Sequence, residues 1–199
     1  MLGFFRRLFR PAPAAEPSVE WLVVGLGNPG EEYAATRHNV GYMALDAAAA
    51  ARGVALRPAE GTKALLGVCE GVAYARPLTY MNESGTAVGP LARRFNVAPE
   101  RVIVLHDELD LPQGTVRLRR GGSENGHNGL KSLTEHLGSR DYIRVRIGIG
   151  RPPKGTPVPD WVLSPVEGDI SAEIEKAARA ARLVPAQGLE RAQNEIHAR

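Results

Sequence analysis

Thiol chemistry is almost absent from this chain, whose 199 residues include a single cysteine, Cys69. An internal disulfide and a paired-thiol redox motif are therefore excluded, and a reducing, cytoplasmic setting is expected. Cys69 lies in an apolar, strand-like run, so a core thiol is the expected reading. Long hydrophobic runs are also missing: nothing approaches the roughly 20 apolar residues of a membrane-spanning helix. The opening Met-Leu-Gly-Phe-Phe-Arg-Arg-Leu-Phe-Arg is cut by three arginines within ten positions. It contains no apolar core of about 7–15 residues, which a signal peptide needs. With the proline-rich 11–17 behind it, 1–18 reads as a disordered leader and linker. No internal repeat is evident, so solenoid and array architectures are not expected.

What is present fits one large domain, 19–199, with a substantial core. Apolar residues make up 43% and charged residues 24% of the chain, ordinary proportions for a globular protein. The net charge of +3 is modest but unevenly spread. Between 117 and 151 there are eight lysines and arginines against Glu124, Glu135 and Asp141, so the remainder is net negative. That asymmetry favours an anionic partner on one face, nucleic acid above all.

Periodicity gives a mixed order of elements. Strands are expected at 19–25, 63–69, 72–76, 101–106, 115–120 and 142–149, the second and third as a hairpin about a Glu-Gly turn. Helices are expected at 38–52, stopped by Gly53, then at 84–96 and from the glycine-rich 121–129 to about 137. A proline-rich loop at 152–159 leads to a short strand or turn near Trp161. Helical segments follow from about 166, broken near Pro185 and Gly188. The fold class is α/β: a single-domain three-layer fold, its mixed twisted sheet flanked by helices.

Three segments carry chemistry: Thr-Arg-His-Asn-Val-Gly at 36–41, His-Asp-Glu-Leu-Asp at 106–110, and Gly-His-Asn-Gly at 126–129. Each sets imidazole, carboxylate or carboxamide groups at the edge of an apolar or glycine-rich element, where a scaffold displays reactive groups. Gly25-Leu-Gly27-Asn-Pro-Gly30 matches a dinucleotide fingerprint literally, yet Glu31 and Glu32 fall where a pyrophosphate would sit. Pro29 and the polar run to Arg37 also displace the helix that should bind it, and the acidic ribose partner is missing, since Asp46 falls inside a helix.

Taken in order, Gly-Leu-Gly-Asn-Pro-Gly-Glu-Glu-Tyr-Ala-Ala-Thr-Arg-His-Asn-Val-Gly, Tyr-Met-Asn-Glu-Ser-Gly, His-Asp-Glu-Leu-Asp-Leu-Pro-Gln-Gly, Gly-His-Asn-Gly-Leu-Lys and Arg-Ile-Gly-Ile-Gly-Arg-Pro resemble bacterial peptidyl-tRNA hydrolase. The resemblance runs from about Glu20 to the end. It implies a monomeric α/β hydrolase that cleaves the ester between a peptide and the terminal ribose of tRNA, recycling tRNA from stalled or dropped-off products. It implies no metal, no cofactor and no stable protein partner.

By the same resemblance His38 is the catalytic base and Asp107 its orienting carboxylate. Physically, a neutral imidazole takes a proton from water near pH 7, and a carboxylate on the other ring nitrogen fixes its tautomer. Asn82 and Asn128 are implied to contact substrate, and Asn28 to distinguish peptidyl-tRNA from free-amine aminoacyl-tRNA. Carboxamides suit such contacts because they stay neutral while donating and accepting. Tyr33 and Tyr80 match aromatic positions beside the tRNA end and peptide pocket. Arg117 with Arg119, and Arg144 with Arg146, lie two apart on strands and so share a face, as phosphate contacts would. Glu124 places a negative charge beside that path.

Two other functions are compatible with parts of the pattern. A noncatalytic RNA-binding protein on the same fold is disfavoured by the intact His38–Asp107 pair with three asparagines. A metal-dependent hydrolase using His106, Asp107, Glu108 and Asp110 is disfavoured because successive strand residues alternate faces.

Overall fold

A computed structural model describes residues 17–198. Of the expected leader, only Pro17 and Ser18 fall within it; 1–16 lie outside the described residues. Seven strands form one sheet: β1 (Trp21–Gly25), β2 (Arg57–Pro58), β3 (Ala64–Cys69), β4 (Val72–Pro77), β5 (Val102–Glu108), β6 (Val116–Arg120) and β7 (Ile143–Gly148). Their order across the sheet is β2-β3-β4-β1-β5-β7-β6. The middle four are parallel, Leu22 of β1 lying between Ala73 of β4 and Val102 of β5. β3 and β6 run antiparallel at the flanks. The sheet is mixed, as the hairpin at 63–76 required.

The helices are α1 (Val40–Ala50), α2 (Ser84–Arg94), α3 (Asn128–Leu137), α4 (Val158–Leu163), α5 (Ser171–Gln187) and α6 (Leu189–His197). Strand alternation divides the core between two faces. Val23, Ile103 and Leu105 pack with α1, α5 and α6 on one side. Leu22, Val24, Val102 and Val104 pack with α2 and α3 on the other. Both faces of the sheet are thus covered, which is why its central strands are apolar throughout. Cys69 is half-buried on β3.

Two expectations are corrected by tertiary packing. The segment near Trp161 is a short helix, α4, started by the prolines at 157 and 159 with Asp160 in its first turn. Pro185 does not break α5, which continues to Gln187 and ends at Gly188 with φ +86°. The buried stripe Ala177, Ala178, Ala181 and Val184 outweighs the missing backbone donor. The two-residue β2 was too short to carry a periodicity.

The glycines of the apparent dinucleotide fingerprint have a packing reason. A Cβ on Gly25 would lie 2.4 Å from the Gly41 carbonyl oxygen, and one on Gly27 would strike the Tyr42 ring at 2.7 Å. They let α1 lie directly on β1. From β1 the chain crosses to β4 on one side and then to β5 on the other, so the carboxyl ends of β1 and β5 open a crevice between diverging connections.

Candidate active site

That crevice is a cleft of about 820 Å³ lined by Asn28, His38, Tyr80, Asn82, Asp107, His127 and Asn128 among others. Asn28 follows β1, Asp107 ends β5, and His38 sits in a tight turn at 37–39 that leads into α1. Asn82 lies just before α2, and Asn128 is the first residue of α3. Residues spread over a hundred positions therefore meet at one end of the sheet.

Asp107 is the centre of the arrangement. Its carboxylate accepts from His38 Nδ1 at 2.9 and 3.0 Å and from His127 Nε2 at 2.9 Å. Burial opposes ionisation of this carboxyl, but the two imidazoles and their hydrogen bonds together hold it well below the usual carboxylate range. For His38 burial also works against the charged form; Asp107's attraction and hydrogen bond outweigh it and raise the pKa. Nδ1 of His38 being committed to Asp107, its Nε2 is the atom left to accept a proton.

His127 is the main residue missed from sequence, where it stood within Gly-His-Asn-Gly without a role. Its Nδ1 caps α3 by accepting the backbone N–H groups of Gly129 and Leu130, at 3.1 and 3.3 Å. The proton must then sit on Nε2, pointed at Asp107. Gly129 next to it has no room for a side chain, because a Cβ would lie 2.5 Å from Met81 Sδ. The usable signal was an imidazole at a helix start, the N-cap position.

His106 is the third imidazole, edge-on to His127 with ring centroids 5.2 Å apart. Its Nδ1 donates to the Asp107 carbonyl at 2.7 Å, and its buried Nε2 has no protein partner. Burial, then the neighbouring His127, pushes its pKa down to about 3, so it stays neutral.

Asn28 is fixed from two sides. Its side-chain oxygen accepts from Met81 N–H at 2.8 Å, and its backbone is bracketed by Asn39, which accepts from its N–H and donates to its carbonyl, both at 2.9 Å. Only the NH₂ of Asn28 remains free, a donor aimed by its neighbours. Asn39, one residue from His38, is a second positioning group missed from sequence. Tyr80 lines the cleft at 55% exposure. Tyr33 stands behind it, edge-on at 6.5 Å between centroids.

The metal-site grouping of His106, Asp107, Glu108 and Asp110 is not assembled among the described residues. Glu108 is paired with Arg146 at 2.9 Å and Asp110 with Arg151. Among the described residues, His38, Asp107 and His127 do bring ligand-type atoms within 4.8 Å of one another. Hydrogen bonds through the shared carboxylate account for that closeness.

The sequence model of the family described as Peptidyl-tRNA hydrolase matches residues 22–199. The chain belongs to this family. It is 56% identical to a Corynebacterium glutamicum protein called peptidyl-tRNA hydrolase 2, across 100% of the chain and 97% of that relative. A Nocardia farcinica peptidyl-tRNA hydrolase is 50% identical over 88% of the chain and 95% of its own length. In structure, the Acinetobacter baumannii peptidyl-tRNA hydrolase is similar with a TM-score of 0.81, 36% identity, and coverage of 92% and 97%. The seven-stranded α/β fold is thus the family's own.

The basic strands divide unevenly. Arg117 and Arg119 on β6 face the same side as Arg144 and Arg146 on β7, with which they are in register. Arg119 is exposed and Arg117 half-buried. Arg146 is tied to Glu108. Arg144 departs from expectation: it is 2% exposed, and its guanidinium donates to the Gly122 and Ser123 carbonyls, each at 2.6 Å. It ties down the glycine-rich loop instead of reaching solvent phosphates. Glu124 is also not a bare charge, since Arg140 and Thr134 donate to it. The Arg140 hydrogen bond holds its carboxyl down to about 2 against the effect of burial.

Proposed function

We infer that the chain hydrolyses peptidyl-tRNA, with water activated by His38 and oriented chemistry provided by Asp107. One observation carries the mechanism: His38 Nδ1 is held on a buried carboxylate while the ring borders the cleft. His38 Nε2 takes a proton from water as the oxygen adds to the ester carbonyl. The imidazolium formed is stabilised by Asp107 and then protonates the departing ribose oxygen. Free peptide acid and tRNA are the products. His127 donates to the same carboxylate and keeps it in place.

Asn82 and Asn128 border the cleft from two helix starts and supply amide donors to the peptide or to the developing oxyanion. Asn28, with its oxygen occupied, presents NH₂ to an acylated amine's carbonyl. That NH₂ cannot pair a free ammonium, whose desolvation is then uncompensated. Tyr33 and Tyr80 form an aromatic edge for the peptide or terminal base. Arg117 and Arg119 contact tRNA phosphates, assisted by Arg146. The catalytic domain is 19–199, working as a cytoplasmic monomer without a metal or cofactor. No helix among the described residues is long and apolar enough to cross a membrane.

The decisive experiment compares release of the amino acid from N-acetylaminoacyl-tRNA and from the matching free-amine substrate, in excess chelator. Wild type should cleave the first far faster. Folded His38→Ala should lose about 10²–10⁴-fold, the worth of general-base assistance. Near-wild-type cleavage by that variant would overturn the mechanism, and loss of activity in chelator would restore a metal-dependent one.

A further inference from the structure

One wall of the cleft is α4, and its hold on the protein is unusual. Val158, Pro159, Val162 and Leu163 face the cleft, yet only Val162 is buried. Val158 and Leu163 remain 44% and 43% exposed. A helix of six residues has no stability of its own, so its place depends on tertiary ties.

Most of those ties converge on Arg37, the residue before His38. Its guanidinium donates to Ser164 Oγ at 2.6 Å and to the Pro165 carbonyl, at the end of α4. It also lies over the Trp161 ring, 3.7 Å from the centroid. Its backbone N–H donates to the Ser164 carbonyl at 3.0 Å. Thr36 forms a β-bridge with Pro165 beside it. Glu167, 3.4 Å from the guanidinium but largely exposed, adds little. Arg37 itself is 2% exposed. A buried arginine is costly unless its donors are used; Nη1 spends its donors on this one short segment, while the buried Nε has no protein partner.

We propose that Arg37 is a positioning residue that fixes α4 as the apolar wall of the cleft and so sets the fit for the peptide part of the substrate. This rests on the peptidyl-tRNA reading of the cleft. Arg37 touches no reacting atom. Its side chain leaves the 37–39 turn toward 161–167 while that of His38 goes to Asp107, so one turn anchors both the base and the wall. The flat guanidinium stacked on the Trp161 ring while Nη1 makes both hydrogen bonds favours arginine; a compact lysine ammonium has no plane to lay on the indole.

The test uses Arg37→Met, which keeps most of the stem, and the milder Ser164→Ala, which removes one acceptor. Amide hydrogen exchange at 158–166 and steady-state kinetics on N-acetylaminoacyl-tRNA are measured for both and for wild type. Exchange in that segment should accelerate by about tenfold or more in Arg37→Met, as local opening becomes easier. KM should rise about fivefold to tenfold with kcat within about twofold, the pattern of lost uniform binding. Ser164→Ala should move both quantities the same way by less. The midpoint of the pH–rate profile should not move. Unchanged exchange in both variants overturns the proposal, as does faster exchange with unchanged KM. A shifted pH–rate midpoint with unchanged KM also overturns it, placing the effect on His38. If wild type itself fails to cleave the substrate, the functional reading fails instead, while exchange still reports on Arg37 and α4.

Discussion

Asp107 shares one oxygen between two imidazoles, and the consequences have opposite signs on its two sides. Its charge raises the pKa of His38, so the basic form of His38 accumulates only above the ordinary histidine value. The rate of cleavage should therefore rise with pH through a midpoint above about 6.5. Asp107→Asn removes the charge, so the midpoint should move down while the rate falls, by up to about 10⁴-fold if the amide stabilises the wrong tautomer. His127→Asn should move the midpoint up. Asparagine still caps α3, but it is too short to reach Asp107, leaving the carboxylate's full acceptor strength to His38. Midpoints that stay put, or move together, would show that Asp107 is not electrostatically coupled to the base.

Among the elements, the loop from β6 to α3 also depends on one buried side chain. It carries His127 and leads directly into Asn128, and Arg144 holds it through the Gly122 and Ser123 carbonyls. Burial lowers the arginine's own pKa, so part of what those two bonds contribute is offset by desolvation. Charge-assisted bonds contribute about 1.5–3 kcal/mol each before that offset. Arg144→Met should then destabilise the protein by about 2 kcal/mol, read as a lower urea midpoint. Cleavage should weaken as His127 loses its place. A variant of normal stability with a flatter salt dependence of tRNA binding would instead return Arg144 to the phosphate surface.

At the scale of the whole molecule, β6 and β7 set four arginines on one face at the sheet's flank, but pairing decides how much of that charge is usable. Arg140 neutralises Glu124, Arg151 pairs with Asp110, and Arg146 is drawn to Glu108. Among the described residues, Arg117 and Arg119 have no carboxylate partner, and Arg119 is exposed. Replacing both with alanine should raise KM for full-length peptidyl-tRNA and reduce the slope of log K against log salt by about 1.5–2. A substrate carrying only the terminal adenosine should be nearly unaffected. Equal defects on both substrates would place these arginines in the catalytic pocket or indicate structural damage.

Apolar periodicity and turn residues determined the strands, most helices and the mixed three-layer class, because each of those is a local choice repeated over five or more residues. The motif residues His38, Asp107, Asn28, Asn82 and Asn128 were singled out through the family resemblance, and the fold brings all five to one cleft because each stands at an element end. Four things were settled only by the tertiary structure. Trp161 lies in a helix because its neighbours dock on Arg37; Pro185 stays inside α5 because the alanine stripe beneath it is buried. Arg144 and Arg146 share a strand face and look alike in sequence, yet one is buried under a loop and the other is paired at the cleft. His127 gained its partner from a strand twenty residues earlier. Sequence spacing specifies which face a side chain leaves from, but not what waits there; that depends on contacts between segments far apart along the chain.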